Sequence, residues 1–116
     1  MRTVLDIPRE SRTGTIEGKA PDFLSVSSGH KLILSEAKGG TINAREVRAQ
    51  LSNAMAALRD KWGLAGDVQR VELIMEQGAK FDPKKFTVKD GYLFDSDARK
   101  NVTLEGFNEF IMVIRL

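Results

Sequence analysis

Three hydrophobic periodicities in fixed order between Lys31 and Met75 restrict this chain more than any other feature. Lys31 to Lys38, KLILSEAK, has the alternation of a strand. Side chains of a strand alternate between faces, so Leu32, Leu34, Glu36 and Lys38 fall on one face and Ile33, Ser35 and Ala37 on the other. Gly39 and Gly40 then break the strand, and Asn43 with Glu46 three residues later has the form of a helix N-cap and capping box. Val47, Leu51, Ala54, Met55, Leu58 and Trp62 recur at helical spacing, which predicts a helix from about Ala44 to Lys61 ending at Gly63. Val68 to Met75 is again strand-like, with Val71, Leu73 and Met75 on one face. A strand, a helix and a strand in this order predict a right-handed crossover and a sheet covered on at least one side. The expected fold class is therefore α/β, a central mixed β-sheet with one main crossover helix.

The flanking segments are read as additions to that unit. Arg2 to Ile7 is an extended candidate ended by Pro8, and Arg9 to Pro21 is a polar loop or twisted hairpin. Asp22 to Val26 is a short strand, close enough to the next one to pair through a turn at Ser27 to His30. Beyond Gln77, Phe86 to Val88 and Tyr92 to Phe94 flank Asp90-Gly91, a hairpin signal. Phe110 to Ile114 is an apolar run suited to a buried last strand. Phe23, Trp62, Phe107 and Phe110 are expected in the core. The 116 residues have the length of one domain spanning 1–116, without repeats or low-complexity tracts.

Composition excludes several chemistries. With no cysteine there is no disulfide, thiolate metal site or cysteine nucleophile, and a single histidine, His30, excludes zinc sites built from several. His30 is expected in an exposed turn. No apolar stretch has the length of a signal peptide or a membrane span, so a soluble domain is expected, and any passage out of the producing cell would use another route. The 18 lysines and arginines against 16 acids leave only +2, so a polyanionic partner depends on where the cations sit rather than on their sum. Asp95 and Asp97 do not open a calcium loop, because Arg99 takes a ligand position and Lys100 stands where glycine is required.

The residues carrying the most chemistry are Asp22, Glu36 and Lys38. Phosphodiester hydrolysis requires neutralisation of charge on the phosphoryl group and an activated water. Hard divalent ions such as magnesium or manganese (Mg2+ or Mn2+) supply both and prefer carboxylate and carbonyl oxygens. Asp22, Glu36 and the carbonyl of Ala37 form a candidate donor set. Lys38 is placed to hold the water or offset developing negative charge. Arg9, Arg12, Lys19, Arg45 and Arg48 are candidate phosphate contacts, the last two near a helix N-terminus that already favours anions.

Pro21-Asp22, a hairpin-length gap, and Glu36-Ala37-Lys38 at the end of the apolar LIL closely resemble the signature of the PD-(D/E)xK nuclease superfamily, the restriction-endonuclease-like fold. The resemblance covers Asp22 to about Met75. It implies metal ligation by Asp22 and Glu36 and catalysis by Lys38. It also implies a polar residue from the following helix, a role to which Gln50 is matched. The family core usually opens with a helix bearing another acid, whereas this chain runs almost directly into its first strand. The supporting carboxylate is then Glu10 or Glu17, or lies on a missing N-terminal flank. The PDFL and EAKG spelling further resembles nuclease domains at the C-terminal ends of bacterial polymorphic and contact-dependent growth inhibition toxins. That implies a toxin effector acting on tRNA or DNA in a target-cell cytoplasm, restrained by a cognate immunity protein. Two alternatives stay open on the residues alone: a noncatalytic nucleic-acid-binding module and a protein-interaction module on the same fold.

Overall fold

The computed structural model describes residues 3–5, 23–26 and 31–116. Among these, the chain order is β1 (Thr3–Leu5), β2 (Phe23–Val26), β3 (Leu32–Lys38), β4 (Thr41–Asn43), α1 (Ala44–Ala57), β5 (Val68–Met75), β6 (Lys80–Asp82), β7 (Phe86–Lys89), β8 (Tyr92–Asp95), β9 (Lys100–Asn101) and β10 (Ile111–Arg115). The main sheet runs β1-β2-β3-β5-β10-β8-β7, with β9 attached to β8. Strands β1, β2 and β3 pair antiparallel in succession, β3, β5 and β10 are parallel, and β10, β8 and β7 are antiparallel. The sheet is mixed, as expected, and α1 is the connection between parallel neighbours β3 and β5.

Helix α1 starts where its cap dictates. Asn43 accepts hydrogen bonds through Oδ1 from the backbone N–H groups of Arg45 and Glu46, at 3.0 and 3.2 Å, satisfying donors that a helix start otherwise leaves unpaired. Its stripe of Val47, Leu51, Ala54, Met55 and Leu58 packs with Leu34, Val71 and Leu73 into one core on this side of the sheet. The helix ends differently from the simple periodic reading. Leu58–Trp62 winds as a π turn before Gly63 stops the chain at φ 64°, a backbone conformation open to glycine without steric penalty. The wider winding of that turn carries Trp62 off the stripe, and it stands 45% exposed. Phe110 is exposed as well; it precedes β10 and meets Tyr92 edge to face. Both depart from the expected core assignment, while Phe107 packs against the core.

Strand β5 lies between two parallel neighbours and is buried on both faces at its centre, where Val71, Glu72 and Leu73 are fully inaccessible. That is the environment parallel strands usually occupy. It leaves one acid, Glu72, inside the protein on the side away from α1. The Asp90-Gly91 hairpin forms with both residues at positive φ, the geometry two-residue hairpins prefer. A second, short parallel pair, β4 with β6, joins the segment after Gly40 to the segment after β5.

Candidate functional site

Strand β3 brings the site together. Leu34 contributes to the core under α1, so by alternation Glu36 and Lys38 project from the same face. Glu36 is 3% exposed. The Lys38 ammonium nitrogen lies 3.8 Å from Glu36 Oε1, with the lysine side chain about one-third open to solvent. A buried carboxylate and a partly solvated ammonium thus share the C-terminal end of a central strand.

The edge beside this pair is β2. Its register sets Phe23 opposite Ser35, Leu24 opposite Leu34 and Val26 opposite Leu32. The antiparallel hairpin assumed from sequence therefore exists, and it ends one residue before Glu36. Asp22, which precedes Phe23 in the chain, lies outside the described residues. So do Glu10, Glu17, Arg9, Arg12, Lys19 and His30.

On the other edge, the carbonyl of Lys38 accepts a hydrogen bond from the backbone N–H of Glu76 at 2.9 Å. Successive carbonyls of a strand turn to opposite edges, so the Ala37 carbonyl is directed toward the β2 side. Beyond Lys38, a Cβ added to Gly39 would run into the Glu76 carboxylate. Gly40 adopts φ 62° and its carbonyl receives the Lys80 N–H at 2.9 Å. The double glycine thus does more than break the strand: it lets Glu76 lie against the backbone and starts the β4–β6 pair.

Helix α1 supplies two flanks. Arg48 donates from Nε to the Thr103 carbonyl at 2.7 Å and Ser52 Oγ accepts from the Glu105 N–H at 2.8 Å, which marks the flank facing residues 103–105. Gln50 lies roughly 200° around the axis from Arg48, on the flank directed away from that loop. Its Oε1 is buried and meets no donor among the described residues. Buried polar atoms are almost always hydrogen-bonded, so an orphaned amide oxygen asks for a donor or a cation.

Arg45 and Arg48 are brought together, but by a wall the sequence reading did not include. They line a cavity of about 340 Å³ with Lys85, Phe86, Asp95 and Lys100. The Arg45 guanidinium sits 5.7 Å from the Phe86 ring centroid and the Lys85 ammonium 5.0 Å from it. Asp95 is already engaged, accepting from the N–H groups of Asp97 and Ala98 and pairing with Lys85 at 3.4 Å. Those backbone hydrogen bonds, with the nearby ammonium, hold its carboxyl below the usual carboxylate range.

A second buried acid belongs to the other face of the sheet. Glu72 accepts from Ser35 Oγ at 3.0 Å and from Arg70 Nε at 2.6 Å. Ser35 and Glu72 are register partners, displaced by one position from Glu36 and Leu73, so this cluster and the Glu36–Lys38 pair stand on opposite faces. Among the described residues no three His, Cys, Asp or Glu side chains gather as a metal-binding group. Nor is any helix among them long and apolar enough to cross a membrane.

Comparison with protein-family models, curated proteins and solved structures finds no match for this chain.

Proposed function

We propose that this chain is a metal-dependent endonuclease domain of the PD-(D/E)xK type, with Glu36 and Lys38 at its catalytic centre and Asp22 completing it. The observation that carries the reading is the Glu36–Lys38 pair: a carboxylate buried to 3% exposure beside an ammonium 3.8 Å away, at the end of a central strand. Connectivity supports it too, because β2 pairs antiparallel with β3 and the expected crossover helix leads from β3 into its parallel neighbour β5.

The oxygen donors suit a hard divalent ion. The Glu36 carboxylate, the Ala37 carbonyl and Asp22 are of the type magnesium and manganese prefer, and the orphaned Gln50 oxygen is a further acceptor on α1. Such an ion supplies Lewis acidity at the phosphoryl group and a more acidic water. Glu36 and Asp22 would hold it, and Gln50 would orient a water. Lys38 places its positive charge where the phosphoryl oxygens gain negative charge as the attacking water oxygen bonds to phosphorus and the bridging oxygen departs with a proton. Burial of the Glu36 carboxylate strengthens its part in these interactions.

The substrate class is nucleic acid, tRNA or DNA. The spelling around the motif adds a toxin effector role with an immunity protein as partner. A cleavage panel of total tRNA, single-stranded RNA and duplex DNA, run with magnesium, manganese and EDTA beside Asp22→Ala, tests the core statement. Cleavage of one class that needs the metal and is lost in the variant is expected. Cleavage that persists in EDTA or in Asp22→Ala overturns the mechanism.

A further inference from the structure

Two cavities meet at Phe86. The first, described above, is lined by Arg45, Arg48, Lys85 and Lys100 with the single acid Asp95. The second, of about 320 Å³, lies between Met75 and Phe86 and is lined by Lys80, Lys84 and Arg115, with no acid in its wall. Among the described residues, Arg45, Lys80, Lys84, Lys100 and Arg115 have no carboxylate at ion-pair distance. Cations outnumber acids by only two in the whole chain, so this imbalance is a property of placement. The one acid present is taken up by two backbone N–H groups and Lys85, and Arg48 spends only its Nε on the Thr103 carbonyl.

The two cavities also connect with the catalytic strand. Met75, at the floor of the second, is the register partner of Lys38. It belongs to the core on the α1 side of the sheet, the face from which Lys38 projects. The second cavity therefore opens on the same side of the sheet as Lys38, beyond the end of β3, and Phe86 forms a wall common to it and to the cavity of Arg45 and Lys100. Phe86 is 7% exposed, too deep to stack on a base, and serves as the apolar ridge against which Arg45 and Lys85 are held. The geometry points to a two-chambered cleft that grips successive phosphates of a nucleic-acid backbone, built mainly by the segment from Lys80 to Arg115. This rests on the reading of the ligand as nucleic acid and assigns the C-terminal third of the chain the work of positioning it. Flexible, single-charge lysines suit contact with phosphates, which place a strand without reading its sequence.

The test is binding without turnover. Fluorescence anisotropy of labelled duplex DNA and of labelled tRNA is measured in EDTA across a salt series, for the parent protein, for Lys80→Gln/Lys84→Gln/Arg115→Gln, and for a control of equal charge change, Arg59→Gln/Lys61→Gln/Lys89→Gln. All six positions lie on the surface, and a thermal melt checks that each variant is folded. Each lost phosphate contact lowers the slope of log affinity against log salt by about 0.9 on duplex DNA and about 0.7 on a single strand. The cleft variant should therefore lose a slope of roughly two to three and bind about tenfold or more weakly near 0.1 M salt, with the control close to the parent. The arm bound more tightly at equal salt identifies the polymer. Equal slopes for cleft variant and control, or no nucleic-acid binding by the parent, overturn the proposal. Loss of slope in a protein that shows no metal-dependent cleavage leaves the cleft standing and removes the nuclease reading; the reverse pattern removes only the cleft.

Discussion

The Lys38 ammonium nitrogen stands 3.8 Å from Oε1 of Glu36, with the carboxylate buried and the lysine partly open to solvent. At that separation the pair is an electrostatic contact rather than a tight hydrogen bond, which leaves the ammonium free to reach a third group. Lys38→Ala should cut metal-dependent cleavage by about a hundred- to a thousand-fold and leave nucleic-acid affinity within a few-fold of the parent. Single-turnover rates and anisotropy separate the two. Unchanged cleavage would remove Lys38 from the chemistry.

Gln50 makes a prediction that separates function from stability. Its buried Oε1 lacks a donor among the described residues, a situation that costs about 1–3 kcal/mol. Gln50→Leu should leave the metal-free protein as stable as the parent or more so, and weaken manganese binding by about ten- to a hundred-fold. Melting temperature without metal and calorimetric titration with manganese give the two readings. A destabilised variant with normal manganese affinity would assign Gln50 to packing alone.

The order of elements from Leu32 to Met75 was legible because each carries a long, undiluted periodicity and its punctuation is strong: Gly39-Gly40, the Asn43 cap and Gly63 all act as read. The β4–β6 pair was not legible, since TIN and KFD are too short for alternation and their partnership joins distant segments. Trp62 fits the α-helical stripe on paper and leaves it only because the last turn widens. The basic cleft escaped for a related reason. Lys80, Lys84, Lys100 and Arg115 look like ordinary surface charge one at a time, and only the fold gathers them around Phe86. The adjacent Lys84 and Lys85 were the one local hint.

Asp95 sets an acid-side dependence of stability. Its carboxyl is held below the ordinary range by the Ala98 and Asp97 N–H groups and by Lys85. A depressed folded-state value means the unfolded chain takes up the proton first as pH falls. The stabilisation is therefore complete above the ordinary carboxylate value, about 3.9, and is lost as pH drops through the lower folded value. Asp95→Asn keeps an acceptor for the turn but loses the charge. Its urea midpoint should lie below the parent's at pH 7, and the two curves should converge between about pH 4 and the acid limit. A gap that persists undiminished at the lowest pH would show that the charge is not the source.

Arg70 and Glu72 test the assignment of faces. Glu72 is wholly buried on the side of the sheet away from α1, and Arg70 donates to it at 2.6 Å from a side chain about one-third exposed. Removing one partner of a buried pair leaves a desolvated charge, and the solvent around the guanidinium moderates that penalty, so Arg70→Met should cost about 1–3 kcal/mol. Replacing these three residues together, Ser35→Ala/Arg70→Met/Glu72→Met, should recover part of the loss, because the buried carboxylate is removed along with its guanidinium partner. Urea denaturation measures both variants. Cleavage per folded molecule should remain at the parent's level in Arg70→Met, since Glu36 and Lys38 project from the opposite face. If Arg70→Met keeps full stability but loses cleavage, Glu72 belongs to the catalytic centre and the division of the sheet into a chemical face and a structural face is wrong.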